Sequence, residues 1–232
     1  MARKQRLIVF GAGSKKSLGY QTGKLIEKRG WKVTLADLSP SSMEIFHVDV
    51  RGQHGVPDIL SSEGPFDAML YAVGVNVPMN VVEHCRKDFD DVMATNVESA
   101  AYCIKKFLSC GRRPGEKAIA VLIGSNTQHV PRRGSYSYAA SKAAMGGLTR
   151  CLARDLAEEK LAVVQLDFGM IKDSPMTARS VKQFGKPWKG LRYRQMWPYD
   201  LTVKEAAEWT AFAIEKGHMA TGSCLRIDGA EA

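Results

Sequence analysis

The residues that most constrain the fold lie near the start of the chain, where a short apolar run meets a glycine-rich turn. Residues 7–10 are apolar and include Ile and Val, and residues 11–13 read Gly-Ala-Gly before an amphipathic stretch that extends to Arg29. This order predicts a strand, a tight turn and a helix. A second apolar run at residues 31–36 predicts a neighbouring strand. A strand–helix–strand unit of this kind is typical of a parallel sheet.

Further strands and helices alternate along the rest of the chain. Strands are predicted at residues 45–48, 66–74, 118–124, 161–167 and 223–227, and helices at about 86–110, at about 138–159 and at 202–216. The seven residues between Asp37 and the third strand leave room only for a turn. With 232 residues, 45% of them hydrophobic, the chain can build one sizeable core. We therefore expect residues 1–232 to form a single α/β domain, doubly wound around a parallel sheet of about seven strands.

Three polar residues around the fifth predicted strand indicate carbonyl or alcohol chemistry. Tyr138 and Lys142 are four residues apart, so a helix places them on the same face. A nearby ammonium lowers the pKa of a phenol, which can then act as a general acid or base. Ser125 ends the preceding strand and can donate a hydrogen bond to an oxygen whose charge changes when hydride moves.

The glycine turn and the end of the second strand predict a dinucleotide site. Backbone N–H groups at the start of a helix attract a pyrophosphate. Asp37 ends the second strand, eighteen residues after Gly19, where a carboxylate can accept hydrogen bonds from both ribose hydroxyls and would repel a 2′-phosphate. NAD is therefore favoured. Lys15 and Lys16 lie in the glycine turn and favour NADP, which remains the less favoured cofactor.

Taken together, these motifs resemble the short-chain dehydrogenase/reductase family over almost the whole chain. Two further motifs support the resemblance, Thr-Asn-Val at residues 95–97 and Thr-Gly followed five residues later by Asp-Gly at residues 221–229. The resemblance implies a Rossmann-type fold and an oxidoreductase that transfers hydride between a nicotinamide cofactor and a secondary alcohol or ketone. The catalytic residues it implies are Asn96, which would anchor a proton relay, with Ser125, Tyr138 and Lys142.

The same resemblance implies the residues that bind the cofactor. Asp49 would contact the adenine amino group, and the backbone of Ile171 would meet the nicotinamide carboxamide. The full predicted set is Gly11, Gly13, Ser17, Leu18, Gly19, Asp37, Asp49, Val50, Ala72, Gly74, Tyr138, Lys142, Gly169 and Ile171.

Several positions depart from the family pattern. Ala12 replaces a threonine, and Ser17 replaces a glycine and resembles the enoyl reductase branch. That branch separates its tyrosine and lysine by seven residues, whereas the residue seven before Lys142 is Ser135, so the enoyl reading is disfavoured. Residues 71–74 read Tyr-Ala-Val-Gly where the family has Asn-Asn-Ala-Gly, and no residue that compensates for the lost asparagines is evident.

The formal net charge of +9 could indicate nucleic acid, an anionic membrane surface or an anionic substrate. No dense basic run with interleaved aromatic residues occurs before residue 172, so no nucleic-acid partner is expected. Residues 172–200 carry seven cations against two carboxylates, and the resemblance implies that they form a substrate lid. Arg132 and Arg133 fall in a loop that would border the substrate pocket beside Ser125. We expect a polar or anionic small-molecule substrate, although a subunit contact or solvated charge would also explain the cations.

The remaining features mainly exclude classes of protein. The five cysteines and five histidines lack ligand spacing, so no disulfide framework and no metal are expected, and His129 is interpreted as an ordinary loop residue. No apolar run approaches the ~20 residues that span a bilayer, and a cytoplasmic protein without a membrane partner is expected. The resemblance also implies a homodimer or homotetramer. The alternative hypothesis is a cofactor-binding sensor or scaffold of the same fold with little catalysis.

Overall fold

The computed structural model describes residues 3–52, 54–78, 80–184 and 200–231. Its centre is a sheet of seven strands, all parallel, in the order β3-β2-β1-β4-β5-β6-β7. The strands are β1 (Arg6–Phe10), β2 (Lys32–Asp37), β3 (Ile45–His47), β4 (Ala68–Tyr71), β5 (Ala118–Ile123), β6 (Leu161–Phe168) and β7 (Cys224–Ile227). The predicted fold class, a doubly wound Rossmann-type sheet, is confirmed.

Helices connect the strands and cover both faces of the sheet. They are α1 (Leu18–Lys28), α2 (Gly55–Glu63), α3 (Arg86–Met93), α4 (Ser99–Lys106), α5 (Tyr136–Asp155), α6 (Pro175–Phe184) and α7 (Val203–Lys216). Residues 38–44 form no helix, as the short spacing predicted. Helix α2 was not predicted. Helix α6 lies in the predicted lid, and residues 185–199 of that segment lie outside the described residues.

The predicted helix at residues 86–110 is present but irregular. Its α-helical parts, α3 and α4, are separated by a π turn at Ala94–Glu98, and a second π turn at Phe107–Gly111 ends the segment. Single π turns displace the regular i→i+4 hydrogen bonds and are frequent at functional sites. Asn96, the predicted relay residue, is in the first of them.

Strand β1 shows how the sheet separates two apolar cores. Successive side chains of a strand point to opposite faces. Ile8 and Phe10 belong to the core that α2 and α4 complete, whereas Leu7 and Val9 belong to the core that α1 and α7 complete. All four side chains are fully buried. The carboxyl ends of the central strands are therefore held firmly at one edge of the sheet, where the predicted site residues lie.

Candidate active site

The glycine turn after β1 passes very close to the neighbouring strands. Gly11 has a φ of +98°, and a Cβ there would lie 2.5 Å from the backbone carbon of Ala72. A Cβ on Gly19, at the start of α1, would lie 2.4 Å from the carbonyl oxygen of Gly11. Side chains at these positions would clash with the protein backbone, so the two glycines permit the tight turn and the close approach of helix to strand that a dinucleotide-binding turn requires. The turn therefore fits the predicted dinucleotide.

Ser17 and Leu18 begin the helix that follows this turn. Ser17 is the N-cap of α1, and its hydroxyl accepts a hydrogen bond from the backbone N–H of Tyr20. Leu18 packs against the apolar core. The serine that departs from the family pattern therefore caps the helix, a role for which its hydroxyl is well suited.

Asp37 ends β2 beside the glycine turn, where the sequence placed it. Its carboxylate accepts hydrogen bonds from the backbone N–H groups of Gly13, at 2.8 Å, and Ser39, at 2.9 Å. A Cβ on Gly13 would come within 2.5 Å of this carboxylate. The negative charge is thus fixed at the end of the second strand, where an adenosine ribose would lie in a fold of this class.

A buried tyrosine, the last residue of β4, occupies the place of the first family asparagine. The Tyr71 hydroxyl donates a 2.6 Å hydrogen bond to the carbonyl oxygen of Thr95, in the first π turn. Tyr71 is fully buried, and burial raises its pKa well above the usual value. This contact ties β4 to the turn that carries Asn96, and so it supplies the compensation that the sequence did not reveal.

Asn96 joins this turn to the loop after β4 and to α5. Its side-chain oxygen accepts a hydrogen bond from the N–H of Val75 at 2.8 Å. Its amide nitrogen donates to the carbonyl of Val75 and to the hydroxyl of Ser141, both at 2.9 Å. Since Ser141 directly precedes Lys142, the fully buried Asn96 helps to fix the helix position from which Lys142 projects.

Ser125, Tyr138 and Lys142 come together at the end of β5. The Tyr138 phenol lies close enough to Ser125 for that hydroxyl to act on its pKa, and the Ser125 hydroxyl shares a 2.9 Å hydrogen bond with the hydroxyl of Thr127. The Lys142 ammonium lies 5.5 Å from the centroid of the Tyr138 ring and donates to the carbonyl of Ile123 at 2.7 Å. All three side chains are buried, with exposed fractions of 8%, 9% and 2%. A Cβ on Gly74 would lie 3.6 Å from Lys142 Nζ, so this glycine, which follows β4, lies next to the same cluster of side chains.

Burial shifts the pKa values of this pair in opposite directions. It raises the pKa of Tyr138 to about 12, although the Ser125 hydroxyl acts in the lowering direction. It lowers the pKa of Lys142 to about 8, and the charge of Asp167 partly opposes that change. Both shifts arise because a low-dielectric environment disfavours the charged form of a group. The net lowering of the Tyr138 pKa that the sequence suggested is therefore wrong for this structure, because desolvation dominates.

The arginines of the predicted substrate loop have different surroundings. Arg132 is half-buried, and its guanidinium lies 3.4 Å from the Glu231 carboxylate, which also accepts a hydrogen bond from Asn126. Arg133 is exposed, and among the described residues it forms no ion pair. The two arginines line a surface pocket of about 420 Å³ with Val81, Val82, Tyr136 and others.

Four predicted cofactor residues lie farther along the same edge. Asp49 is exposed and accepts a hydrogen bond from the N–H of Arg51, while Val50 is buried. Gly169 follows β6, where a Cβ would lie 3.0 Å from the backbone of Asp228. The carbonyl of Ile171 accepts from the hydroxyl of Thr177, at the start of α6.

The sequence analysis missed Asp167, a fully buried carboxylate at the end of β6. His129, interpreted as an ordinary loop residue, lies with its Nε2 3.5 Å from an oxygen of Asp167. The sequence held one signal for Asp167. It is an acidic residue near the carboxyl end of a strand that is otherwise almost wholly apolar.

Within the described residues, no group of histidine, cysteine and acidic side chains is arranged to hold a metal ion. In the same part of the chain, every helix is too short or too polar to cross a membrane.

Comparison with known proteins identifies the family. A family model described as enoyl-(acyl carrier protein) reductase matches residues 11–229, and it belongs to the short-chain dehydrogenases/reductases. The chain belongs to this family. As a short-chain dehydrogenase/reductase (SDR), the protein is an oxidoreductase of a family that uses NAD(H) or NADP(H), binds small-molecule substrates and is typically oligomeric. Its tyrosine and lysine, four residues apart, have the spacing of the Tyr-x-x-x-Lys branch.

The protein is similar to several SDR relatives. An oxidoreductase of Thermotoga maritima, described as uncharacterised, is 29% identical over an alignment of 252 residues that covers 96% of this chain and 95% of that protein. The 2,3-dihydro-2,3-dihydroxybenzoate dehydrogenase of Bacillus subtilis is 27% identical over 172 residues, or 65% of this chain and 64% of that enzyme.

A solved structure with the same fold is the sorbitol-6-phosphate 2-dehydrogenase of Erwinia amylovora. It superposes with a TM-score of 0.85 at 22% identity, covering 97% of this SDR and 99% of that chain.

Proposed function

We propose that this SDR interconverts a secondary alcohol and a ketone on a polar or anionic small molecule, with NAD as the preferred cofactor. The observation that carries the proposal is the buried cluster at the end of β5, in which the Tyr138 phenol lies beside Ser125 while Lys142 faces its ring at 5.5 Å. A phenol, a hydroxyl and an ammonium arranged in this way can exchange a proton with a substrate oxygen and stabilise its changing charge.

Each member of the cluster has a distinct role in this proposal. Tyr138 gives or takes the proton of the substrate oxygen, and Ser125 donates a hydrogen bond to that oxygen. Lys142 supplies the positive charge that favours the phenolate, and Asn96 holds the helix turn before Lys142. The bound nicotinamide would supply or accept the hydride.

The preference for NAD rests on Asp37. Its carboxylate is held by the backbone N–H groups of Gly13 and Ser39, so it cannot easily turn away from a ribose bound at the glycine turn. A 2′-phosphate would meet this fixed negative charge, whereas free ribose hydroxyls could donate hydrogen bonds to it. The glycine turn itself would hold the pyrophosphate through the backbone at Gly13, Ser17 and Gly19.

The preference for an anionic substrate rests on Arg133. It is exposed beside Val81 and Val82, two exposed apolar side chains, in a pocket next to the loop that leads from Ser125 to Tyr138. A guanidinium suits a carboxylate or phosphate, and the valines suit an apolar part of the same molecule. The benzoate in the name of the Bacillus subtilis relative is a substrate of this charge type.

Replacing Tyr138 with Phe tests the reaction. Turnover should fall by about 10²- to 10⁴-fold, the contribution of a positioned acid or base, while NAD binding measured by fluorescence titration stays within a factor of a few. Tyr102→Phe is the matched control, since Tyr102 lies on α4, where its ring faces the Lys106 ammonium at 5.5 Å, and is not among the residues that line the pocket beside the two arginines. Full activity in Tyr138→Phe would refute the proposal. Cofactor binding without turnover of any alcohol or ketone by the wild type would instead favour a sensor or scaffold.

Replacing the two arginines separately tests the substrate class. Arg133→Ala should raise KM strongly for an anionic ketone and leave a neutral analogue unchanged. Arg132→Ala should impair both substrates, because it removes the ion pair that holds Glu231 against the loop after Ser125. Equal effects of Arg133→Ala on both ketones would contradict a charge-binding role.

We further propose that the chain is one domain with a lid at residues 172–200, and that it assembles as a homodimer or homotetramer in the cytoplasm. The small residues of α5 that are not buried within the subunit, among them Ala143 and Gly147, support close helix packing between subunits. Sedimentation velocity on the purified protein would measure the assembly, and a monomer at micromolar concentration would contradict it.

A further inference from the structure

A buried carboxylate that the proposed reaction does not use lies inside the reaction centre. Asp167 is fully buried at the end of β6, and its Oδ1 accepts a 2.7 Å hydrogen bond from Gln165. Its Oδ2 is also buried and accepts no hydrogen bond, and the His129 Nε2 lies 3.5 Å from it. Ionised carboxylates are seldom buried without a full set of partners, because desolvation is costly.

Three consecutive residues place this carboxylate beside the catalytic cluster. The carbonyl of Ile123 accepts a 2.7 Å hydrogen bond from Lys142, and Ser125 lies beside the phenol of Tyr138. Between them, a Cβ on Gly124 would lie only 1.9 Å from Asp167 Oδ1. Asp167 therefore lies against Gly124. That residue lies between Ile123, which binds the Lys142 ammonium, and Ser125, which lies beside the Tyr138 phenol.

The charged and titratable groups around Asp167 come from three further elements. Lys142 and Tyr138 face it from α5, and His129 faces it from the loop after β5. Cys224 lies on β7, and burial together with the charge of Asp167 raises the pKa of its thiol. The Arg150 guanidinium lies on the far side of Cys224, 3.9 Å from its sulfur. Lys142 is thus the fully buried cation of this group.

We propose that Asp167 is a positioning residue that keeps Lys142 in its ammonium form, and that His129 in turn keeps Asp167 ionised. The inference rests on the proposed function, because it explains how a buried lysine remains charged where the chemistry requires it. A buried ammonium is stable only with a compensating negative charge, and in the described residues Asp167 is the acidic group whose charge acts on Lys142.

The electrostatic directions agree with this geometry. Burial lowers the pKa of Lys142 to about 8, and the Asp167 charge acts to raise it. Burial raises the pKa of Asp167, whereas Gln165, His129 and Lys142 all act to lower it. Because the His129 side chain is 40% exposed, its contact with Asp167 connects the surroundings of the buried lysine to the protein surface.

The test follows the charge of Lys142 directly and needs no substrate. The protein is labelled with ¹³C at lysine Cε, the Lys142 signal is assigned with Lys142→Arg, and its chemical shift is followed against pH by NMR. Asp167→Asn keeps the shape and the acceptor for Gln165 but removes the charge. The titration midpoint of Lys142 should fall by about one pH unit or more, the effect of losing a nearby opposite charge. His129→Gln should lower it in the same direction by less.

Thr149→Val is the matched control. The Thr149 hydroxyl lies 3.2 Å from Gln165 Oε1, so this change disturbs the neighbouring polar contacts and alters no charge. It should leave the midpoint in place. An unchanged midpoint in Asp167→Asn, or an equal fall in Thr149→Val, would overturn the inference.

Activity gives an independent second readout. The alkaline limb of the kcat/KM profile should move to lower pH in Asp167→Asn, and less so in His129→Gln. A wild type without turnover would refute the proposed function and leave the NMR midpoints interpretable, whereas unmoved midpoints in an active enzyme would refute only the role of Asp167.

Discussion

The hydrogen bond from Tyr71 to Thr95 can be tested by removing a single oxygen atom. Tyr71→Phe keeps the ring, which is fully buried between β4 and the helices over it, and deletes the hydroxyl that donates at 2.6 Å to the Thr95 carbonyl. That carbonyl belongs to a π turn, where the regular helical hydrogen bonds are displaced. The change therefore removes a donor from a polar group that water cannot easily reach.

The expected cost follows from that burial. Leaving a buried backbone acceptor unsatisfied costs about 1–3 kcal/mol. For a chain of this size, each kcal/mol corresponds to a change of about 2–4 °C in Tm. We therefore expect the free energy of unfolding to fall by about 1–3 kcal/mol and Tm by between about 2 and 12 °C, measured by urea denaturation and by thermal unfolding followed by circular dichroism.

A tyrosine whose hydroxyl meets an exposed partner provides the control for this measurement. The Tyr20 hydroxyl donates to Glu44, an exposed carboxylate that water can solvate after Tyr20→Phe. That variant should lose at most a few tenths of a kcal/mol, as exposed polar contacts usually do. If Tyr71→Phe were as stable as the wild type, or no less stable than Tyr20→Phe, the hydroxyl would not brace the π turn and the reasoning would be wrong.

Two further predictions concern charges at the edge of the sheet. Asp37→Asn should lower the ratio of kcat/KM with NAD to kcat/KM with NADP by roughly fivefold, since a partly exposed charge contributes up to about 1 kcal/mol; an unchanged ratio would contradict the role given to Asp37. Lys142→Met should abolish turnover, and its stability relative to the wild type should fall between pH 8 and pH 10, because burial holds the Lys142 pKa at about 8, below its ordinary 10.5. Between those values the unfolded wild-type chain binds more protons than the folded one, so wild-type stability rises with pH, and the variant lacks this contribution; a difference in the free energy of unfolding that is the same at pH 7 and pH 10 would contradict this.

The strands and the glycine turn could be predicted because their signals are local. The apolar run before Gly11 and the two glycines of the turn can be recognised from neighbouring residues in the sequence. The position of Asp37 follows once the end of the second strand is known. Tyr138 and Lys142 follow from one helical turn. These features require no knowledge of what packs against them, so sequence patterns are sufficient.

The features that were missed depend on contacts between distant parts of the chain. Thr95, the partner of Tyr71, lies in a π turn that no residue pattern in the sequence predicts. Arg132 meets Glu231 across 99 positions, and the sequence offered no reason to join them. The net shift in the Tyr138 pKa was misjudged because the sequence shows which charge is near but does not show how deeply the phenol is buried.

The closeness of Gly124 and Asp167 has an evolutionary consequence. Since a Cβ at position 124 would lie 1.9 Å from the Asp167 carboxylate, position 124 cannot take a larger residue while Asp167 stays as it is. A lineage that acquired serine or alanine at 124 would first need a small residue at 167. Among the ancestors and descendants of this chain, a residue larger than glycine at position 124 should therefore occur only together with a residue smaller than aspartate at position 167. The substitution at 167 should come first.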